Sequence, residues 1–191
     1  MDVKSFWNEV SKYGIMLGVV MGALTIFMQS LVINGGVQHA GSVTLIAILC
    51  VVLFFVILRV AAKKRAASID PELGFSYFQG VNYMILVSMF AAVPAACIYY
   101  VYINSIVGYD NYIDGLTSIL IEAAKLQPLD DSSATLVEDL IEQVRKQPQV
   151  SVFALVFNSI IQYAFGGMFA GLILSGFISR KPQKTNGNGE L

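Results

Sequence analysis

Four long apolar runs dominate the pattern of hydrophobic and polar positions along the chain. They cover about residues 13–33, 43–62, 81–103 and 150–178. A helix needs about 20 apolar residues to cross the roughly 30 Å hydrocarbon core of a bilayer. Within these runs the one charged side chain is Arg59, close enough to the end of its run to reach the membrane interface. The pattern therefore predicts an all-α membrane protein with four transmembrane helices.

The polar segment between the third and fourth runs, about residues 104–149, contains two shorter stretches in which apolar and polar positions alternate as on an amphipathic helix. Apolar positions recur at helical spacing in two groups: Leu116, Ile119, Leu120 and Ala123, then Leu136, Val137, Leu140, Ile141 and Val144. Pro128 and Pro148 mark the boundaries, Ser133 is a candidate N-cap, and Glu142 and Lys146 are spaced for an ion pair. This predicts a short amphipathic helical hairpin. It folds over the outer end of the bundle or lies on the membrane surface, or else it serves as a docking surface for an external partner.

The distribution of basic residues predicts the orientation of the helices. Nine of the twelve lysines and arginines fall before the first run, at the end of the second or between it and the third, or after the fourth. The remaining three, together with eight acidic residues, fall in the segment between the third and fourth runs. Because cytoplasmic loops carry the excess of Lys and Arg, both termini are predicted to be cytoplasmic. In a bacterium the membrane is then the inner membrane.

Domain organisation follows from the same pattern. Residues 1–181 are predicted to form a single four-span domain, and the polar, glycine-rich residues 182–191 a disordered tail. The first run is longer than the roughly 7–15 apolar residues of a signal peptide, so it is expected to be a retained helix. Cys50 and Cys97 lie inside apolar runs, where thiols act as small hydrophobes, and no disulfide is expected.

Small residues at a spacing of four predict where helices pack closely. Gly14, Gly18 and Gly22 form one ridge in the first run, and Gly167, Gly171 and Ser175 another in the fourth. The ridges either pack the first span on the fourth or pair two copies of the protein. Pro94, midway along the third run, is expected to kink its helix.

Uncharged polar residues inside the fourth run form the main intramembrane cluster. Asn158, Ser159 and Gln162 are expected to hold helices together, at roughly 0.6 kcal/mol for an average interhelical hydrogen bond. The alternative is that they line a transport cavity beside the kink at Pro94. No ionisable residue lies midway along any run, so the usual signature of an ion pathway is missing.

Signatures of enzymes and of nucleic-acid binding are absent from the sequence. His39 is the one histidine, and no nucleophile motif, metal-ligand spacing or phosphate-binding loop is present. Asp70 and Glu72, on either side of Pro71, leave open a lipid-modifying activity as a minor alternative. The basic residues are split among three short clusters, which argues against nucleic acid. We expect no catalytic residues, metal or cofactor.

Three segments resemble a family of small four-span membrane proteins labelled domain of unknown function 4199, typical of Bacteroidetes. They are the start of the chain from Phe6 to Gly18, the stretch from Gly74 to Gly80, and the end of the fourth run from Gly171 to Lys181. The resemblance covers about residues 4–181. It implies a four-span inner-membrane protein with an external helical segment, and it brings no activity.

These patterns favour a non-catalytic accessory or scaffold subunit of an envelope-associated membrane complex. Its expected partners are the lipid bilayer and either another membrane protein or a second copy. The rival hypothesis is a small dimeric transporter or lipid-handling protein.

Overall fold

The computed structural model describes residues 3–126 and 131–183, and within these ranges the chain is helical. The elements are α1 (Val3–Gly35), a 3-10 turn (Gly36–His39), α2 (Ala40–Ser68), α3 (Tyr77–Val101) with a π-helical extension (Tyr102–Val107), α4 (Tyr109–Lys125), α5 (Asp131–Lys146) and α6 (Val152–Ile178). The described residues form no strand, and one isolated antiparallel bridge joins Phe75 to Arg180. The all-α prediction is therefore confirmed.

Three continuous helical segments are long and apolar enough to cross a membrane. They are Lys4–Ser68 with 65 residues, Tyr77–Val107 with 31, and Val152–Ile178 with 27. The first segment contains both α1 and α2, joined through the 3-10 turn. The described residues thus have the length and composition of a membrane-spanning protein.

The 65-residue segment folds back on itself. Arg65 Nη1 lies 3.2 Å from Glu9 Oε2, although the two residues are 56 positions apart. At 1.5 Å per residue, a straight helix would separate them by about 84 Å. The reversal coincides with Gly36, whose φ of +56° is rarely adopted by residues with a side chain. The next backbone N–H, from Val37, donates to the Glu122 carboxylate at 3.1 Å.

Contacts within the chain group into two compact units. The first is formed by the described parts of Met1–Val19, Leu53–Pro94 and Phe157–Leu191. Its core is the α3 surface around Tyr83, Met84 and Val87, all buried.

The second unit is formed by Val20–Val52 and Ala95–Val156, apart from the undescribed residues 127–130. It holds the predicted helical hairpin, in which α4 packs on α5. Its ends are tied together by the Tyr109 hydroxyl, which donates to the carbonyls of Gln147 and Pro148 at 3.1 Å each. Glu142 and Lys146 form the expected exposed ion pair.

The hairpin departs from the sequence prediction in two respects. The α4 residues that become buried are Ile113 and Thr117, because α4 turns Gly115 toward Ile33 of α1. Helix α5 begins at Asp131, so Ser133 lies inside its first turn and is not its N-cap. Pro128 lies outside the described residues.

The expected tail starts in an ordered stretch. Gln183 N–H donates to the Pro71 carbonyl at 3.0 Å, and Phe75 and Arg180 exchange two backbone hydrogen bonds of 2.9 Å each. These bonds hold residues 182 and 183 against the connection between α2 and α3. Residues 184–191 lie outside the described part of the chain.

Candidate functional site

The first small-residue ridge packs on α3. A Cβ placed on Gly14 would lie 2.5 Å from Phe90 Cβ. On Gly18 it would overlap the Ala91 carbonyl oxygen and lie 2.5 Å from Pro94 Cγ. Both positions therefore require glycine for α1 and α3 to approach this closely.

The second ridge also packs on α3. A Cβ on Gly167 would lie 2.7 Å from Ser88 Cβ, and one on Gly171 would lie 3.0 Å from Val81 Cα. Ser175, fully buried, completes the ridge against Gly80. One of the two packings predicted from the sequence placed the first span on the fourth, whereas each ridge faces α3 instead.

The third ridge position of α1 and the proline of α3 complete these contacts. In the second unit, a Cβ on Gly22 would lie 3.1 Å from the Ile98 side chain. Pro94 lies inside α3 and has no N–H to donate to the carbonyl of Phe90. The bend expected at Pro94 stays a prediction.

The two amides of α6 lie on its exposed side. Asn158 and Gln162 are exposed and Ser159 is half-buried. None of the three side chains makes a hydrogen bond to another described residue. The buried residues of α6 are instead Gly167, Ala170, Gly171, Ser175 and Ile178. These amides therefore point away from the packed interior of the first unit.

Asn158 and Gln162 belong to a continuous exposed face of α6. Phe165, Phe169 and Gly176 follow them at offsets of 7, 11 and 18 residues from Asn158, which places all five on one side of a helix. Each phenylalanine is 62% exposed, and a Cβ on Gly176 would meet nothing within 4 Å. We call these five residues the α6 stripe. It combines two amides, two aromatic rings and a small residue.

A second feature of the first unit is a buried cation, Arg65, near the end of α2 where Lys63 and Lys64 also lie. We call this end of the helices the basic end. Arg65 is 5% exposed, pairs with Glu9 on α1, and lies 5.1 Å from the centre of the Phe6 ring. By sequence, Arg65 is one of the nine basic residues that predict the orientation of the helices, and its burial was not expected. The buried positions Leu58, Ala61, Ala62 and Arg65 follow a helical repeat, which was the available signal.

Arg65, Ile69 and Gln79 line two neighbouring cavities, which together we call the basic cavity, with an outer and an inner lobe. The outer lobe, about 510 Å³, is lined by Ser5, Arg65, Ser68, Ile69, Asp70, Leu73, Gly74 and Gln79. The inner lobe, about 160 Å³, is lined by Phe6, Arg65, Ile69, Phe75, Gln79, Asn82 and Tyr83. Two of the residues that line the inner lobe each carry a buried polar atom, Arg65 Nε and Tyr83 Oη, without a hydrogen-bond partner among the described residues.

The connection between α2 and α3 shapes the basic cavity. The Asp70 carboxylate accepts the Glu72 N–H at 3.0 Å, and the Asp70 carbonyl accepts the Leu73 N–H at 3.0 Å. Ser76 and Gln79 then cap α3 reciprocally, at 2.8 and 3.2 Å. This Ser-x-x-Gln pattern is a capping box that was legible in the sequence. The hydrogen bonds of Asp70 thus give it a structural role in this turn. That role does not depend on the lipid-modifying activity considered for Asp70 and Glu72.

The side chains able to bind metal ions were compared for clustering among the described residues. No group of three His, Cys, Asp or Glu side chains there is placed to hold a metal ion. Cys50 and Cys97 are both free thiols.

The described residues form helices and no strand, and three helical segments are long and apolar enough to cross a bilayer, which are the features of the class of helical membrane proteins. The chain belongs to the family described as Protein of unknown function (DUF4199), whose family model matches residues 12–180. This match confirms the family resemblance seen in the sequence. No curated protein and no solved structure matches the chain.

Proposed function

We propose that this protein is a non-catalytic structural subunit of the bacterial inner membrane, with four spans and both termini cytoplasmic. It assembles through the α6 stripe, and a second copy of the chain is its partner. The observation that carries the proposal is the pair of amides Asn158 and Gln162, exposed and without a partner among the described residues, on a 27-residue apolar helix.

The count of four spans is supported by the reversal of the first segment at Gly36. Helices α1 and α2 contain 33 and 29 residues, so each is about 50 or 44 Å long. Either length exceeds the roughly 30 Å hydrocarbon core. The ion pair between Glu9 and Arg65 also sets their far ends at one level, which is the basic end of the sequence pattern.

The depth of the two amides supports the assembly role. The midpoint of α6 is Phe165, so Gln162 and Asn158 lie about 4.5 and 10.5 Å from it along the axis. Both distances fall within the roughly 15 Å half-thickness of the hydrocarbon core. An amide left without a partner in hydrocarbon costs about 4–8 kcal/mol on the alkane scale. A helix that covers the stripe removes this cost.

Symmetry favours a second copy as that helix. Two copies inserted in the same direction place each residue opposite its equivalent, at equal depth. A carboxamide both donates and accepts, so Asn158 is complementary to the other Asn158 and Gln162 to the other Gln162. The open space around Gly176 permits close approach at the other end of the stripe.

The transport hypothesis receives no comparable support. It requires Asn158, Ser159 and Gln162 to surround a cavity, whereas the two amides are exposed on one helix face. An accessory role beside a different membrane protein would use the same stripe, and the experiment below distinguishes that partner by mass.

Cysteine crosslinking in native membranes tests the assembly. In a chain with Cys50 and Cys97 changed to alanine, N158C and Q162C are expected to give a disulfide-linked dimer under mild oxidation. F157C is the matched control, because Phe157 is 64% exposed at nearly the same depth but 100° away around α6. We expect at least a fivefold lower dimer yield from F157C.

Equal dimer yields at all three positions would contradict the assignment of the stripe. A crosslinked band whose mass includes another protein would replace the second copy by that partner. As a further check, the double variant N158L/Q162L should reduce the dimer fraction of the otherwise unmodified protein, because it removes the amide pairs.

The four-span topology predicts a labelling pattern in right-side-out membrane vesicles. An impermeant maleimide should label Q38C and K125C, which the distribution of basic residues assigns to the external side. It should label K63C only after the vesicles are opened. Labelling of K63C at the same rate as K125C in sealed vesicles would show that the proposed orientation is wrong.

A further inference from the structure

We propose that the basic cavity binds a phosphate ester that carries free hydroxyl groups. The inner lobe holds the phosphate through Arg65 and Tyr83, and the outer lobe holds the hydroxyl groups. This site is distinct from the α6 stripe, so the proposal does not depend on the assembly role.

The donors of the inner lobe call for an anionic acceptor. A guanidinium has five N–H donors and no acceptor, and the Glu9 carboxylate takes one of them at 3.2 Å. Arg65 Nε and Tyr83 Oη are both buried without a partner among the described residues, and both residues line the inner lobe. Buried donors without acceptors are costly, and charge-assisted bonds to an oxyanion are among the strongest that satisfy them.

The outer lobe has different chemistry. Ser5, Ser68 and Asp70 line it and are exposed, so it is open to the surroundings. A carboxylate accepts hydrogen bonds from hydroxyl groups and repels a second anion. Asp70 therefore favours a ligand with one phosphate and neutral hydroxyls over a ligand with several phosphates.

The sequence around the cavity also favours an anion. Lys63 and Lys64, both exposed, immediately precede Arg65, and Lys181 follows Arg180. Basic residues beside a membrane surface attract anionic headgroups. The shared ligand chemistry, a phosphate ester with hydroxyls, is found in the glycerol-phosphate headgroup of an anionic lipid and in soluble glycerol phosphate.

The test uses the full chain, purified in a neutral detergent. Native mass spectrometry compares retention of phosphatidylglycerol with that of phosphatidylcholine, which has no free headgroup hydroxyl. Thermal unfolding is followed in parallel with glycerol phosphate or inorganic phosphate. We expect preferential retention of phosphatidylglycerol if the source is lipid, and stabilisation by glycerol phosphate if the source is soluble.

The Y83F variant removes one donor and keeps the aromatic ring that packs edge-on against Phe6 at 6.0 Å. It should weaken binding about tenfold, because a hydrogen bond to a charged group contributes roughly 1.5–3 kcal/mol and 1.4 kcal/mol corresponds to tenfold. The matched control is Y99F, since the Tyr99 hydroxyl bonds that of Tyr112 at 3.0 Å in the other unit.

Three results would overturn the proposal: equal retention of both lipids with no effect of either soluble phosphate, equal binding by Y83F and the unmodified protein, or equal losses in Y83F and Y99F. The R65K variant adds a second readout. Lysine keeps the positive charge but lacks the planar guanidinium group with its several N–H donors. R65K is therefore expected to weaken binding more than Y83F does, provided that it folds.

Discussion

Replacing Glu9 by leucine is expected to lower the free energy of unfolding by about 3 kcal/mol. The Arg65 side chain is 6% exposed and would be left without its carboxylate partner, while Glu9 itself is 29% exposed. Removing one partner of a buried ion pair is costly because the remaining charge stays desolvated. The expected value is at the low end of the usual range, since water reaches part of the Glu9 carboxylate.

The measurement is reversible unfolding in a neutral detergent, followed by helical circular dichroism, in the absence of anionic lipid. E142L is the matched control, because Glu142 pairs with Lys146 at 2.5 Å while both side chains are more than 60% exposed. Exposed pairs of this kind contribute about 0.5 kcal/mol or less. Similar losses of unfolding free energy in the two variants would mean that the pair between α1 and α2 contributes no more to stability than an exposed pair.

The second large effect is expected at Gly18. A methyl group there overlaps the Ala91 carbonyl oxygen and approaches Pro94 Cγ to 2.5 Å. Backbone and a proline ring cannot rotate away, so α1 and α3 must separate. Overpacking of this kind costs about 1–3 kcal/mol. We expect the G18A variant to unfold at correspondingly lower denaturant concentration.

Gly41 provides the control for the intrinsic effect of the substitution. It lies in α2, where an added methyl group would meet nothing within 4 Å, so G41A should be neutral or stabilise by up to about 1 kcal/mol through helix propensity. Equal stability of G18A and G41A would show that the close approach at Gly18 is not required in solution.

The all-helical fold could be predicted because its determinants are local. Long runs without charge and their hydropathy are read directly from the sequence, as is the i,i+4 pair of Glu142 and Lys146. The small-residue ridges were also legible. Their partner was not, because a ridge specifies that a backbone approaches closely and not which backbone; only packing shows that Gly18 and Gly167 both face α3.

The candidate sites depended still more on tertiary structure. Asn158 and Gln162 were recognised as polar residues inside a span, but their spacing is compatible with either an interior or an exterior face. Arg65 could not be separated from its basic neighbours Lys63 and Lys64, which are exposed. Its burial depends on Glu9, 56 residues away, and sequence patterns carry no information about such distant pairing.

The sequence by itself therefore determined the class of protein, its helices and its family, since length, hydropathy and local spacing suffice for these. The tertiary structure decided that the first 65-residue segment reverses at Gly36, that α3 receives both glycine ridges, and that Arg65 is enclosed while the α6 stripe is left open. The physical reason is that burial and pairing are properties of neighbours in space. They arise only when residues far apart in the chain compete for the same surface.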